Sequence, residues 1–575
     1  MSYAAAPAMV RLPTWRARLV LVVFVAGFLV LLGRSVWLQV VQTEFLQERG
    51  EARYSRVLEV PATRGRILDR RGEALAISTP VKSIWAIPED VKATPAQFEQ
   101  LARLLDSGPR ELERRIAEAS RDFVYLKRQI PPETAERVAA LGIPGLYQQR
   151  EFRRYYPGGE TTAHMVGFTG VEDTGQEGIE LAFQSSLAGV PGSRRVIKDR
   201  LGHVVEDVEA IRAAQDGKEL RLALDSKIQS VAYTALKNAL ETHRAKGGAL
   251  VAIDVRTGEV LALANVPTYN PNNRARLTGA QLRNRVITDL FEPGSTLKPF
   301  TVALALDMGR LTPASVIQTA PGRLTIGNRT IHDAHAGGAM TVAQVIQKSS
   351  NVGAAKIALS LPREDMREMF RRMGFGAPPQ LGFPGEAAGK VRDAKTWRPI
   401  EQATMAYGHG ISVSLIQLAR AYTVFARDGE LLPLSLIKAD MPASGRQVLS
   451  AETARAMRAM LEAATQPGGT APRARVMGWR VAGKTGTAHK LEGGVYAANK
   501  YVSSFVGFAP VSAPRLVVAV MIDEPSAGQY YGGAVAAPVF AQVVQGALRL
   551  LEVPHDAPLT PIEIPGEDEV AEEST

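Results

Sequence analysis

Twenty-three residues near the N-terminus, Leu19 to Val41 (LVLVVFVAGFLVLLGRSVWLQVV), are nearly all apolar. As a helix rising about 1.5 Å per residue they span roughly 35 Å, enough to cross a bilayer. The one cation in the run, Arg34, stands late in it, within snorkelling reach of the headgroups, and Trp15 and Trp37 mark the two borders. The following QTEFLQERGEARYS holds no small-residue cleavage site, so the run reads as a retained anchor rather than a signal peptide. Arg11, Arg16 and Arg18 precede it, which puts residues 1–18 on the cytoplasmic side and the bulk of the chain outside. No second apolar run of about 20 residues follows, so the chain is expected to cross once.

After the anchor the period of the pattern changes repeatedly. RGRILDRRGEALA (64–76) reads as strand–turn–strand, with Asp69 to Gly72 at the turn. Between about Pro95 and Leu141 the apolar spacing is helical, and SRRVIKDRLGHVVED alternates like paired strands. This region, 42–220, holds no convincing catalytic grouping and reads as an elongated mixed pedestal that binds or spaces. A second domain, 221–553, opens with the hairpin pattern GALVAIDVRTGEVLALANV. Helical periodicity dominates from Ser295 to Leu461, strands return in WRVAGKTGTA, YVSSFVGFA and RLVVAVMID, and APVFAQVVQGALRLLE reads as an amphipathic helix. Strands at both ends with helices between predict an α+β domain: one sheet built from the two ends of the segment, flanked by helices, with a helical subdomain inserted. The Pro- and acid-rich stretch 554–575 is expected to be a disordered tail.

Composition changes this picture in two ways. The 575 residues contain no cysteine, which excludes disulfides, thiol nucleophiles and Cys-ligated zinc. The net charge of +10 rises to about +17 once the seven acids after Pro554 are set aside. A surface that basic suits an anionic partner such as a membrane, a nucleic acid or an acidic polymer.

The stretch GWRVAGKTGTAHK matches the phosphate-binding pattern G-x-x-x-x-G-K-[ST] from Gly478 to Thr485. A phosphate loop must open into a helix, whose N-terminus meets the phosphates. Here Trp479 to Ala482 favour a strand and Gly486, Thr487, Gly493 and Gly494 signal no helix, so the match reads as coincidence. On a strand, Lys484-Thr485-Gly486 has chemical meaning beside S-x-x-K and S-x-N elements, and both occur upstream in FEPGSTLKPF and QKSSNVG. Ser295 starts a helix and Lys298 falls on the same face three residues on, with Pro299 tolerated in the first turn. A serine hydroxyl needs a base to become a nucleophile. An amine of lowered pKa, buried near the second cation Lys484, meets that need. Ser349, Ser350 and Asn351 offer a hydroxyl to relay the proton and an amide to hold Lys298. Thr485 and Thr487 offer hydroxyls to a substrate carboxylate, and the N–H groups of Ser295 and Thr487 form an oxyanion hole if strand and helix start meet. Three other groups carry less. His332 and His335 lack a third ligand and read as a surface loop. Asp523-Glu524 reads as a turn rather than a magnesium site, and Tyr530-Tyr531 as bordering the active site.

With these motifs in this order, and with GRSVWLQV, RGRILDRRGEALA, RRYYPGGETTAHMVGFT and YYGGAVAAPVF around them, the chain resembles the class B penicillin-binding proteins over about residues 19–550. The resemblance implies a single transmembrane helix (19–41), the pedestal, and a penicillin-binding transpeptidase domain. In it Ser295 is the acylated nucleophile, Lys298 the base, Ser349 and Asn351 the second motif, and Lys484, Thr485, Gly486 and Thr487 the third. It further implies peptidoglycan cross-linking at D-Ala-D-Ala stem peptides and inhibition by β-lactams. The implied setting is the inner membrane at the division septum, beside the SEDS-type glycosyltransferase FtsW and other divisome proteins. It calls for no cofactor, metal or nucleic acid. A D,D-carboxypeptidase or β-lactamase would use the same motifs; a β-lactam sensor would need more than the 18 residues before the anchor; and division is not separable from elongation by the residues' chemistry.

Overall fold

Alternation along five strands builds the central sheet. In the computed structural model, which describes residues 13–43, 55–118, 123–198, 204–335, 337–442, 444–563 and 566, those strands run in the order Val260–Val266, Gly247–Asp254, Leu516–Asp523, Val495–Ala509, Ala482–Glu492. Every pairing is antiparallel. The sheet thus joins both ends of the domain with the helical segment inserted between, as the pattern predicts. Leu250, Ala252, Val518 and Val520 face helices Ser226–His243 and Ala537–Leu550. Their neighbours Val251, Ile253, Val517 and Ala519 face the other way, into the core containing Phe300, Tyr422 and Phe425. Helix Ala537–Leu550, apolar enough with the turn before it to pass for a membrane span, is accounted for by this burial. Helix Lys298–Asp307 runs through the second core buried almost all round, with Phe300 against Phe375, Tyr422 and Phe425.

The chain divides into two compact units, one made of 1–62 with 190–216, the other of 63–189 with 217–575. The expected pedestal 42–220 is therefore split between them. The first unit carries the anchor and a three-stranded antiparallel sheet, Ser55–Val60, Gly192–Lys198 and Val204–Arg212, which includes the strands expected in SRRVIKDRLGHVVED. The anchor helix begins at Thr14, earlier than the apolar run, and ends in a π-helical turn, Trp37–Val41. It is long and apolar enough to cross a membrane. Of the expected cytoplasmic segment, residues 1–12 lie outside the described residues.

Strand pairing and a helix cap join residues 63–189 to the half that begins at Gly217, and an ion-pair cluster and a sheet order them internally. Ile67–Leu68 pairs in parallel with Leu220–Arg221. The Asp69 carboxylate accepts the N–H groups of Arg71 and Glu73, closing the predicted turn, and that of Ser226 at the start of helix Ser226–His243. Buried Glu180 takes Arg64 at 2.6 Å and Arg154 at 2.7 Å. A sheet of Val124–Ile130, Ala74–Ala86 and Leu146–Tyr155 packs one face on helices Pro95–Leu104, Pro109–Ala117 and Pro132–Ala139. The helical expectation for 95–141 is corrected at Val124–Ile130, where VYLKRQI pairs edge to edge with Ala74–Ala86 and propensity yields to the sheet.

The expected disordered tail also needs correction at its start. Trp479 Nε1 donates to the Pro554 carbonyl, His555 lies over the Trp479 ring, and the Asp556 carboxylate accepts the N–H groups of Arg480 and Ser512. Residues 564–565 and 567–575 lie outside the described residues.

Candidate active site

The nucleophile candidate sits on a turn made possible by glycine. Gly294 has φ +57°, and Gly294–Leu297 forms a 3₁₀ turn that runs straight into helix Lys298–Asp307. One turn on, Lys298 Nζ lies 2.8 Å from Ser295 Oγ. The same Nζ is 2.6 Å from the Ser349 carbonyl and 3.0 Å from Ser349 Oγ. Both residues are buried. Tyr422 donates its hydroxyl to the Thr296 carbonyl at 2.7 Å and so braces the turn from the core side.

Ser349 reaches Lys298 with two oxygens because its backbone is in the left-handed region, at φ +59°. It sits between helices Val342–Gln347 and Asn351–Leu359. Ser350 caps the second of these, accepting the Gly353 N–H at 2.8 Å. It donates to Asp333 Oδ2 at 2.7 Å, while Asp333 Oδ1 takes the Val352 N–H at 2.9 Å. Asn351 donates its amide to the His332 carbonyl. The His332–His335 segment therefore supports the second motif through Asp333, a role the sequence reading missed. Among the described residues no group of three His, Asp or Glu side chains is placed to hold a metal.

Lys484, Thr485, Gly486 and Thr487 lie within strand Ala482–Glu492, so Gly483-Lys484-Thr485 forms no phosphate loop. Buried Lys484 donates to Thr485 Oγ1 at 3.1 Å, which also pairs with Thr470 Oγ1 at 3.0 Å. Thr487 Oγ1 accepts the Gly532 N–H at 3.0 Å. Gly486 has a steric reason to be glycine. A Cβ there would stand 2.7 Å from the Pro293 carbonyl oxygen and 2.9 Å from Thr296 Cγ2. The third-motif strand and the nucleophile turn are thus in backbone contact, and all three motifs converge on Ser295.

Several groups around this centre were invisible in the motifs. Gly408, at φ +87°, packs on Gly294 so closely that a Cβ would overlap its backbone. Glu292 accepts the Gly410 N–H at 2.8 Å and the Tyr496 hydroxyl at 3.0 Å. Burial pushes the Glu292 carboxyl above its usual range. Burial first, then the charges of His489 and Lys298, lowers His409 to about 4, so a neutral imidazole stands near Lys298 at ordinary pH. A cavity of about 650 Å³ opens here, lined by Asn351, Tyr407, His409, His489 and Tyr496 among others. Asp523 and Glu524 hold Lys490 at 2.7 Å each, an ion-pair cluster at the strand end. Tyr530 stacks on Tyr501 and its carbonyl accepts the Ser503 hydroxyl, which places Tyr530–Gly532 along the third-motif strand.

The penicillin binding protein transpeptidase domain family matches residues 248–545, and the penicillin-binding protein dimerisation domain family matches 59–222. The chain belongs to the penicillin-binding proteins. This penicillin-binding protein is 43% identical over 549 residues to the probable peptidoglycan D,D-transpeptidase PenA of Neisseria gonorrhoeae, covering 95% of this chain and 94% of the relative. It is 41% identical over 550 residues to the peptidoglycan D,D-transpeptidase FtsI of Escherichia coli K12, covering 95% and 93%. Among solved structures, the transpeptidase domain of Burkholderia pseudomallei penicillin-binding protein 3 is 51% identical, with a TM-score of 0.55, covering 59% of this chain and 98% of that one.

Asp333 offers a test of the second motif in this penicillin-binding protein. Asp333→Ala leaves the Ser350 hydroxyl and the Val352 N–H without their acceptor and loosens the turn that holds Ser349 on Lys298. Acylation by a fluorescent penicillin is expected to slow about tenfold, the cost of a lost charge-assisted hydrogen bond. A variant with a wild-type rate and an unchanged melting temperature would remove Asp333 from the site.

Proposed function

We propose that this penicillin-binding protein is a serine D,D-transpeptidase that cross-links septal peptidoglycan from the outer side of the inner membrane. The observation that carries the reading is Lys298 Nζ, 2.8 Å from Ser295 Oγ and 3.0 Å from Ser349 Oγ. In the reaction, neutral Lys298 takes the Ser295 hydroxyl proton as Oγ attacks the carbonyl between the two terminal D-alanines. The N–H groups of Ser295 and Thr487 receive the developing oxyanion. The close packing of Gly294 against the Thr487 backbone supports that pairing, because a Cβ on Gly294 would stand 3.2 Å from the Thr487 carbonyl oxygen. The proton then passes to the departing D-alanine amine, with Ser349 Oγ in line to relay it. An amine of a neighbouring stem attacks the acyl-enzyme, gives its proton back through Lys298 and releases Ser295. Lys484, Thr485 and Thr487 hold the substrate carboxylate. Asn351 orders the second motif, and Gly486 lets strand and turn meet.

The septal role, the cytoplasmic N-terminus and the partners FtsW and other divisome proteins rest on the likeness to FtsI and on the arginines flanking the apolar helix. Intact-mass measurement after penicillin treatment should show one adduct, mapped to Ser295 and missing in Ser295→Ala. Cells whose only copy is Ser295→Ala should grow as undivided filaments. Rounded, swollen cells would assign the protein to elongation instead, and an adduct on another residue would overturn the site.

A further inference from the structure

A second cavity, of about 590 Å³, lies away from Ser295, where residues 63–189 meet the catalytic half. Its lining includes Lys127, Arg128, Arg153, Arg154 and Arg274 against a single acid, Asp106, among the described residues. Two of the cations are already balanced. Arg128 pairs with Glu151 and Glu172, and Arg154 with Glu180. Lys127 and Arg153 have no ion pair among the described residues, and Arg153 is exposed. Arg274 lies 4.3 Å above the Phe168 ring and, among the described residues, donates only to the Pro271 carbonyl. The wall is rigid: Asn272 clamps Tyr156 by accepting its N–H at 3.0 Å and donating to its carbonyl at 2.9 Å. The volume falls within the usual range for ligand sites.

A row of aromatic rings continues from one side of this cavity. Trp85 is in register with Tyr125 on one neighbouring strand and with Tyr147 on the other. Cross-strand partners share a face. Trp85 and Tyr147 stack with centroids 4.5 Å apart, and Phe123, 42% exposed, sets its edge against Trp85. The opposite face of this sheet is the one buried on helices, through Ile84, Ala86 and Leu126. Arg128 joins the two features, since it lines the cavity and lies 4.7 Å above the Tyr125 ring.

We propose that the cavity and the aromatic row form a docking site for uncross-linked peptidoglycan strands, separate from the Ser295 centre. Stem-peptide carboxylates pair with Lys127, Arg153 and Arg274, and sugar rings lay their apolar faces on Trp85 and Tyr147. Charge and ring chemistry together favour this polymer: it carries carboxylates at regular intervals along a chain of saccharides with apolar faces, and the site offers cations without an ion pair among the described residues beside stacked rings. Cavity residues 271–275 belong to the catalytic half, so an occupied site ties the strand to the body that carries Ser295. The inference rests on the protein acting on peptidoglycan.

The test uses the full chain in detergent, first acylated with penicillin so that Ser295 is blocked. The probe is a labelled, uncross-linked glycan oligomer with tripeptide stems, which lack D-Ala-D-Ala. Binding that weakens with salt is expected. The double variant Lys127→Glu with Arg153→Glu should lose at least about tenfold in affinity, and the neutral pair Lys127→Gln with Arg153→Gln should fall between. Trp85→Ala should weaken binding without changing its salt dependence. Penicillin acylation rates of all variants should match wild type, so a failed site and a failed catalytic reading remain distinguishable. Unchanged affinity in the charge-reversed variant overturns the proposal. So does poly-glutamate binding in place of the glycan, which would assign the surface to an acidic protein segment, or no binding of either probe.

Discussion

Lys298→Arg is expected to abolish acylation of Ser295 at every accessible pH, whereas Lys484→Arg slows it far less. Lys298 touches Ser295 Oγ, Ser349 Oγ and the Ser349 carbonyl at once. As base it must hand over one proton and receive another, and arginine stays protonated in proteins. The guanidinium also has a planar fork where the amine presents a compact point, in a site that leaves Lys298 fully buried. Loss of a general base costs about 10² to 10⁴ in rate, and the upper end is expected because the residue's place is closed to substitute water. In the proposed reaction Lys484 serves the substrate carboxylate as a positive charge, which arginine would preserve. The second-order rate of acylation by a fluorescent penicillin, with folding checked by thermal melts, separates the two variants. Equal rates, or a faster Lys298→Arg, would remove Lys298 from the role of base.

Gly408→Ala is the second large effect, from a residue outside the three motifs. At φ +87° it occupies backbone space that L side chains rarely adopt. Its missing Cβ leaves room for the nucleophile turn: a methyl there would stand 2.7 Å from Gly294 Cα and overlap the Gly294 nitrogen and oxygen. Neither partner can yield by rotating a side chain, because both surfaces are backbone. The turn must shift, and with it Ser295 and its N–H. A displacement of about 1 Å at reacting groups costs on the order of 10²-fold, so acylation should fall by at least that factor. Gly279→Ala is the control, since a Cβ there meets nothing within 4 Å. Wild-type acylation by Gly408→Ala would show that the contact with Gly294 does not position Ser295.

The sequence by itself determined whatever depends on near neighbours. Ser295 and Lys298 share a helix face because they stand three residues apart, and their contact needed no tertiary knowledge. Short apolar runs around a turn signal showed strands of the central sheet, and the apolar run of 19–41 showed a helix long enough for a membrane. The absence of a helix signal after Lys484 was enough to set the phosphate loop aside. Only the tertiary structure decided what depends on distant segments meeting. Asp333 reads as one acid in a polar loop until the fold brings Ser350 to it, 17 positions along the chain. Gly408 looks like an ordinary glycine, and the steric reason for Gly486 in the third motif stays hidden, until Gly294 and Thr296 pack against them. Val124–Ile130 became a strand through its pairing with Ala74–Ala86, where the local spacing favoured helix. The tail after Pro554 was acid-rich and bland by composition, yet Asp556 caps two N–H groups at the start of the third-motif strand and the loop beside it. Periodicity records which face of an element is apolar; which other element covers that face, and how closely two backbones approach, is settled when the whole core packs.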